Sequence, residues 1–137
     1  MKLIREEQKK WISHFQKEAK EAYETAKDLF ESKRYHYDAL FFCHLALEKA
    51  IKAYFLKKEG KFAPPVHDLI FILKKAKALP DKEILEKLAE ANMFNIRARY
   101  DDYKREFYKK ATKEYAQRWL KETKKILEIY LSKIQNA

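Results

Sequence analysis

The most apolar stretch of the chain runs from Tyr35 to Lys58, YHYDALFFCHLALEKAIKAYFLKK. At 3.6 residues per turn, Ala39, Cys43, Ala46, Leu47, Ala50, Ala53 and Tyr54 share one wide face. Leu40, Phe42 and Ile51 broaden that face beyond the stripe a surface helix needs, so the pattern predicts a central helix covered from more than one side. The opposite flank is mixed. His44, Glu48 and Lys52 follow one another at four-residue steps, with Lys49 beside them and Tyr37, Phe41, Leu45 and Phe55 interleaved. Such a flank is neither solvated surface nor core, and it reads as a surface that meets something. Tyr37, Phe41, His44, Leu45 and Glu48 are its candidate interface residues.

The other segments are simpler. From Ile4 to Glu31, Trp11, Phe15, Ala19, Ala22, Ala26, Leu29 and Phe30 recur at three- and four-residue steps over a Lys/Glu outer face, predicting an amphipathic helix. A turn is placed at Ser32-Lys33-Arg34, although no Gly or Pro enforces it, because one helix from Ile4 to Lys58 would be anomalously long. Gly60 is positioned to cap the central helix, and Pro64-Pro65 sets an extended connection. A short helix is expected from His67 or Asp68, with Leu69, Ile70, Ile72, Leu73 and Ala76 inward and Asp68 in its first turn. Pro80-Asp81 opens another, with Ile84, Leu85, Leu88 and Ala91 apolar, fading near Phe94. The last begins near Thr112, a natural N-cap, and lines up Tyr115, Trp119, Thr123, Ile126, Tyr130 and Ile134. The prediction is one all-α domain over residues 1–137, an antiparallel up-and-down four-helix bundle plus one short helix.

Composition narrows the function classes. A length of 137 residues suits one core, and one Gly with three Pro favours helices. A single Cys excludes an internal disulfide and cannot make a zinc cluster, so Cys43 reads as a small core residue. One Gly also excludes a glycine-rich phosphate loop, and no metal or cofactor motif is present. No apolar leader follows Met1-Lys2-Leu3-Ile4-Arg5, and no run reaches the roughly 20 residues a bilayer demands. The expectation is a soluble cytoplasmic protein without a membrane partner. The formal net charge of +10 favours anionic partners, nucleic acid or nucleotide among them. A charged fraction of 38% fits equally well a surface built for solubility.

The second informative stretch is NIRARYDDYKREFYKKA, from Asn95 to Ala111. Basic residues that neutralise phosphates alternate there with aromatic rings on which bases stack. The ordinary alternative is an interhelical loop whose aromatics tuck under the bundle, and Asp101, Asp102 and Glu106 cancel part of its charge. Phe107 and Tyr108 suit that alternative, whereas Arg97, Arg99 and Tyr100 suit ligand binding.

These pieces together resemble the HEPN family. Ala46-Leu47-Glu48-Lys49-Ala50-Ile51-Lys52-Ala53 is similar to its A-x-E-K-x-x-K-A helix, and Pro65-Val66-His67-Asp68-Leu69 to its Pro-x-His-Asp/Ser-Leu connection. Arg99-Tyr100-Asp101-Asp102 resembles its Arg-Tyr-Pro-Asp segment, and Thr112 to Ala116 its start of the last helix. The resemblance implies a helical bundle, often a homodimer. It also implies a minimal nucleotidyltransferase as a protein partner, the two forming a toxin–antitoxin-like pair. Some members of the family are metal-independent ribonucleases with an Arg followed four to six residues later by His.

This chain lacks that motif. After Arg97 the matching positions hold Asp101, Asp102 and Tyr103, after Arg99 they hold Tyr103, Lys104 and Arg105, and no histidine lies beyond His67. The expected function is therefore a binding module for nucleotide or RNA, with Lys49, Lys52, Arg97 and Arg99 on phosphates and Tyr100 stacking. The alternatives are an RNA endonuclease with an atypical site drawn from Arg99, His44 and His67, or a purely structural dimeric partner. For Glu48 and Lys52 alone, an intrahelical ion pair is the simplest reading.

Overall fold

A computed structural model describes residues 1–33, 36–99 and 109–136, with the side chains at 96–99 and 136 left out of that description. Among the described residues the chain is all-α, with five long or short helices and no strand. They are α1 (Arg5–Glu31), α2 (His36–Glu59), α3 (Leu69–Lys75), α4 (Lys82–Arg99) and α5 (Lys113–Asn136). Helix α2 packs against all four others, as its breadth of apolar positions demands, and α1 and α5 close on one another beside it. Ala39, Ala46, Ala50 and Ala53 are buried on α2, small side chains that let its neighbours approach closely. Leu47 and Ile51 fill the space between them, each contributing about 1.5–3 kcal/mol by burial. Cys43 is fully buried, and desolvation pushes its thiol pKa up to about 12, which makes it an inert core group.

The helix ends follow from local chemistry. Asp68 caps α3, its carboxylate accepting from the backbone N–H groups of Ile70 and Phe71 at 3.0 and 3.1 Å. Asp81 accepts from Ile84 N–H at 3.0 Å, and Thr112 Oγ1 accepts from Tyr115 N–H at 3.2 Å. Gly60 ends α2 with a φ of +72°, its N–H bonded to the Leu56 carbonyl at 2.8 Å. The end of α1 is less conventional. Lys33 takes the left-handed conformation at φ 65°, a geometry costing a non-glycine residue about 1 kcal/mol. That is why the turn lacks the usual glycine signature.

One boundary differs from expectation. Helix α4 does not fade near Phe94 but continues to Arg99. Phe94 is almost wholly buried and meets the Trp119 ring edge-on, with centroids 4.9 Å apart, so it anchors the helix onto α5 rather than ending it. Asn95 and positions 97 and 99 therefore belong to a helix and not to a loop.

Candidate functional site

The polar row of α2 does not face outward. Tyr37, His44 and Glu48 are 5%, 1% and 3% exposed, so the flank expected to form an open surface is sealed within the protomer at those positions. What it meets is the α2–α3 connection of its own chain. Glu48 accepts a hydrogen bond from His67 Nδ1 through Oε1 at 3.0 Å and one from Lys52 Nζ through Oε2 at 2.8 Å. One turn earlier, His44 Nε2 donates to the His67 carbonyl oxygen at 3.0 Å. His67 is thus gripped twice from α2, by its ring and by its backbone.

Electrostatics assigns the protons. Burial acts to raise the Glu48 pKa, but the Lys52 ammonium, His67 and His44 outweigh it, and the group sits below the usual carboxylate value. Glu48 is therefore ionised near neutral pH, and a carboxylate only accepts hydrogen bonds. It follows that His67 Nδ1 carries a proton, which in a neutral ring leaves the lone pair on Nε2, at the opposite edge. His44 differs. Burial drives its pKa down, more than the nearby Glu48 carboxylate and Asn92 amide raise it. It is neutral, donates from Nε2, and leaves Nδ1 3.9 Å from Glu48 Oε1 without a well-formed hydrogen bond among the described residues.

Helix α4 completes the surroundings. Asn92 Oδ1 accepts from Leu69 N–H at 3.0 Å, and its Nδ2 donates to Asp68 Oδ1 at 2.9 Å, which locks the start of α3 onto α4. His67, Asp68, Asn92 and Asn95 line a cleft of about 130 Å³. The His67 side chain is 47% exposed there, so its free edge reaches solvent while Nδ1 is held inside. Asn95 is buried and stands one turn beyond Asn92 on the same helix face. Helical spacing places position 99 one turn further along that line.

The remaining predicted residues divide. Lys52 joins the cluster through Glu48, whereas Lys49 turns to α1, 3.5 Å from Glu18 Oε1 and over the Phe15 ring. Phe41 and Leu45 are partly exposed on the outer side of α2. The backbone of Arg97 and Arg99 belongs to the last turn of α4, their side chains are not described, and Tyr100 lies outside the described residues. Of the catalytic candidates, His44 is 1% exposed and its ring is engaged with the His67 carbonyl oxygen, whereas His67 is half exposed. Sequence reasoning missed Asn92 and Asn95 altogether. Two asparagines three residues apart in a helix interior, where their side chains compete with backbone hydrogen bonding, were the available signal.

A second carboxylate, Glu90, lies on the far side of α4. Its Oε2 accepts from Tyr115 Oη, Trp119 Nε1 and an Arg118 guanidinium nitrogen at 2.5, 2.8 and 3.2 Å. Burial raises and these donors lower its pKa, with a net decrease, while burial and the Glu90 contact push the Tyr115 hydroxyl far up. Among the described residues no three His, Cys, Asp or Glu side chains are placed to hold a metal ion, and no helix is long and apolar enough to cross a membrane.

Comparison with known proteins returns one family and no individual relative. No curated protein and no solved structure matches the chain. The sequence model of the HEPN domain matches residues 12–134, which is nearly the whole chain and takes in all or most of every helix described above. The protein belongs to the HEPN family.

Proposed function

We propose that the protein is a nucleotide- or RNA-binding HEPN module whose ligand lies across the His67–Asp68–Asn92–Asn95 cleft. The observation that carries this reading is the placement of that cleft beside the last turn of α4, which bears Arg97 and Arg99. At about 130 Å³ it is well below the roughly 300 Å³ at which sites begin to enclose a small molecule. It has room for a phosphate or one edge of a ribose. A chain laid across its mouth fits better than a free nucleotide sunk inside, so RNA is the preferred ligand. Arg97 and Arg99 then supply phosphate contacts and Tyr100 a stacking face, within a protein of net charge +10.

In this reading Lys52 serves the cluster rather than the ligand, because its ammonium neutralises Glu48. The partly exposed Phe41 and Leu45 are the residues left for pairing of two copies, and a minimal nucleotidyltransferase is the proposed protein partner in a toxin–antitoxin-like pair. The test is a binding isotherm with single-stranded RNA over a range of salt. Affinity should fall with salt with a slope of about −0.7 per phosphate contact, and Arg97→Ala/Arg99→Ala should flatten it by about 1.4. A salt-independent affinity, or a double variant that binds like the parent, would remove the proposal.

A further inference from the structure

We propose that the groove between α1 and α5, floored by Tyr23, Phe30 and Leu120, is a docking site for an acidic amphipathic helix of a partner protein. The groove shares no lining residue with the His67–Asp68–Asn92–Asn95 cleft and stands whether or not that cleft binds RNA.

The groove follows from the patterning of the two helices. Tyr23, Ala26 and Phe30 fall at steps of three and four residues and share one face of α1. The middle one is small and wholly buried, so the helix surface drops away between two rings, and Leu120 of α5 closes the gap from the other side. The Tyr23 hydroxyl donates to the Leu120 carbonyl oxygen at 3.1 Å and ties the two walls together. Tyr23 and Phe30 stay only partly buried, although both already pack on the buried Ala26, Cys43 and Leu120. Their outer surfaces thus offer apolar area to a partner with little side-chain ordering left to oppose binding. The space above them is about 380 Å³, against about 130 Å³ for the cleft.

Charge identifies the occupant. Lys27 stands on the α1 rim and Lys121 and Lys124 on the α5 rim, with Glu31 the one acid among the lining residues. Lysines elsewhere are taken up by carboxylates: Lys52 by Glu48 and Lys87 by Glu122, at 2.8 and 2.6 Å. The rim lysines are not. Lys27 reaches only Glu24 of its own helix, at 3.7 Å and with 43% of its side chain exposed. Among the described residues neither Lys121 nor Lys124 has a carboxylate partner. Unmatched cations on both sides of an apolar strip are the complement of a helix whose apolar stripe is flanked by Asp or Glu. The α1 wall, from Tyr23 to Glu31, is about 12 Å long at 1.5 Å per residue, which accepts two turns of such a helix. RNA fits less well. Phe30 and Leu120 have no polar side-chain group and the Tyr23 hydroxyl proton is committed, so the floor donates nothing to a base edge.

The test titrates the full chain into three fluorescein-labelled synthetic peptides. The first is a helix-former of about 14 residues with leucines at i, i+4 and i+7 flanked by glutamates. The second has lysines in place of the glutamates, and the third is a scramble of the first. The first should bind, with affinity falling about tenfold or more as salt is raised, and the other two should bind at least about tenfold more weakly. Lys121→Glu/Lys124→Glu should weaken the acidic peptide by about tenfold or more and strengthen the basic one. Both positions are exposed, so the variant should keep the wild-type circular dichroism spectrum. Amide NMR shifts on adding the acidic peptide should centre on Tyr23, Phe30 and Leu120. No binding of the acidic peptide, equal binding of the scramble, indifference to the charge reversal, or shifts centred on another face each overturn the proposal. Displacement of the peptide by an equimolar single-stranded RNA oligomer, with the same dependence on Lys121 and Lys124, also overturns it and assigns the groove to nucleic acid.

Discussion

Glu48 and Glu90 are both carboxylates with a lowered pKa, each accepting hydrogen bonds from several donors and each joining separate helices. Their partners divide them. Glu90 binds a phenol whose pKa is driven upward, an indole N–H and a guanidinium, none of which exchanges a proton near neutral pH. Its three donors fasten α4 to α5. Glu48 binds an ammonium on one oxygen and an imidazole on the other. The imidazole retains a second nitrogen, on a half-exposed residue that lines a cleft. A multiply bonded carboxylate is therefore not by itself a sign of chemistry. What distinguishes a site from a brace is whether a titratable partner is left with something to offer.

The comparison can be broken at several points. The largest expected effect is that of Glu48→Ala, which strands Lys52 and His67 Nδ1. Loss of one partner from a buried pair puts the cost at about 3 kcal/mol in urea unfolding, at the low end of the range because Lys52 can turn to water. Glu90→Ala leaves the Trp119 N–H without its acceptor in a ring 1% exposed, a cost of about 2 kcal/mol. If the two rank the other way, Lys52 and His67 recover water more readily than the buried Trp119 N–H does. Asp68→Ala removes the α3 cap and the Asn92 tie, and about 1 kcal/mol should be lost.

Acidification separates the regions further. His44 has a folded pKa below its ordinary 6.5, so its contribution is full above pH 6.5 and is lost as pH falls through that value toward the folded one. Glu48 and Glu90 have folded pKa values below 4.5, so theirs persist above pH 4.5 and disappear only below it. Thermal unfolding should show an early decline beginning near pH 6.5 and a steeper one below pH 4.5. His44→Gln should abolish the first alone. The smallest effect belongs to His67→Ala, at about 0.5 kcal/mol, since water entering the cleft can replace a half-exposed ring at Glu48.

Much of the frame could be read from residue order. The breadth of apolar positions on α2 required a central helix, Gly60 and Thr112 marked their helix ends, and Asp68 announced the start of α3. The turn after α1 was faint because a lysine and not a glycine adopts the left-handed conformation there. The length of α4 was obscured because its last turns carry polar and basic residues, and the Phe94–Trp119 contact that anchors the helix to α5 is a tertiary one. For the site, the four-residue spacing of His44, Glu48 and Lys52 was visible. That spacing reads equally as an outward-facing strip or an inward-facing one. Deciding between them needs the path of the α2–α3 connection, a tertiary fact that returns His67 to Glu48 across 19 positions of sequence. The same holds for Asn92 and Asn95, whose meaning depends on a neighbour brought in by the fold.

The claim that everything else depends on is the protonation pattern of one ring, and two-bond proton–nitrogen correlation NMR of the histidine side chains reads it directly. The neutral wild-type protein should show His67 as a single tautomer with its proton on Nδ1, and Glu48→Ala should release it to a mixture. A His67 ring protonated on Nε2, or a tautomer indifferent to Glu48, would contradict the account.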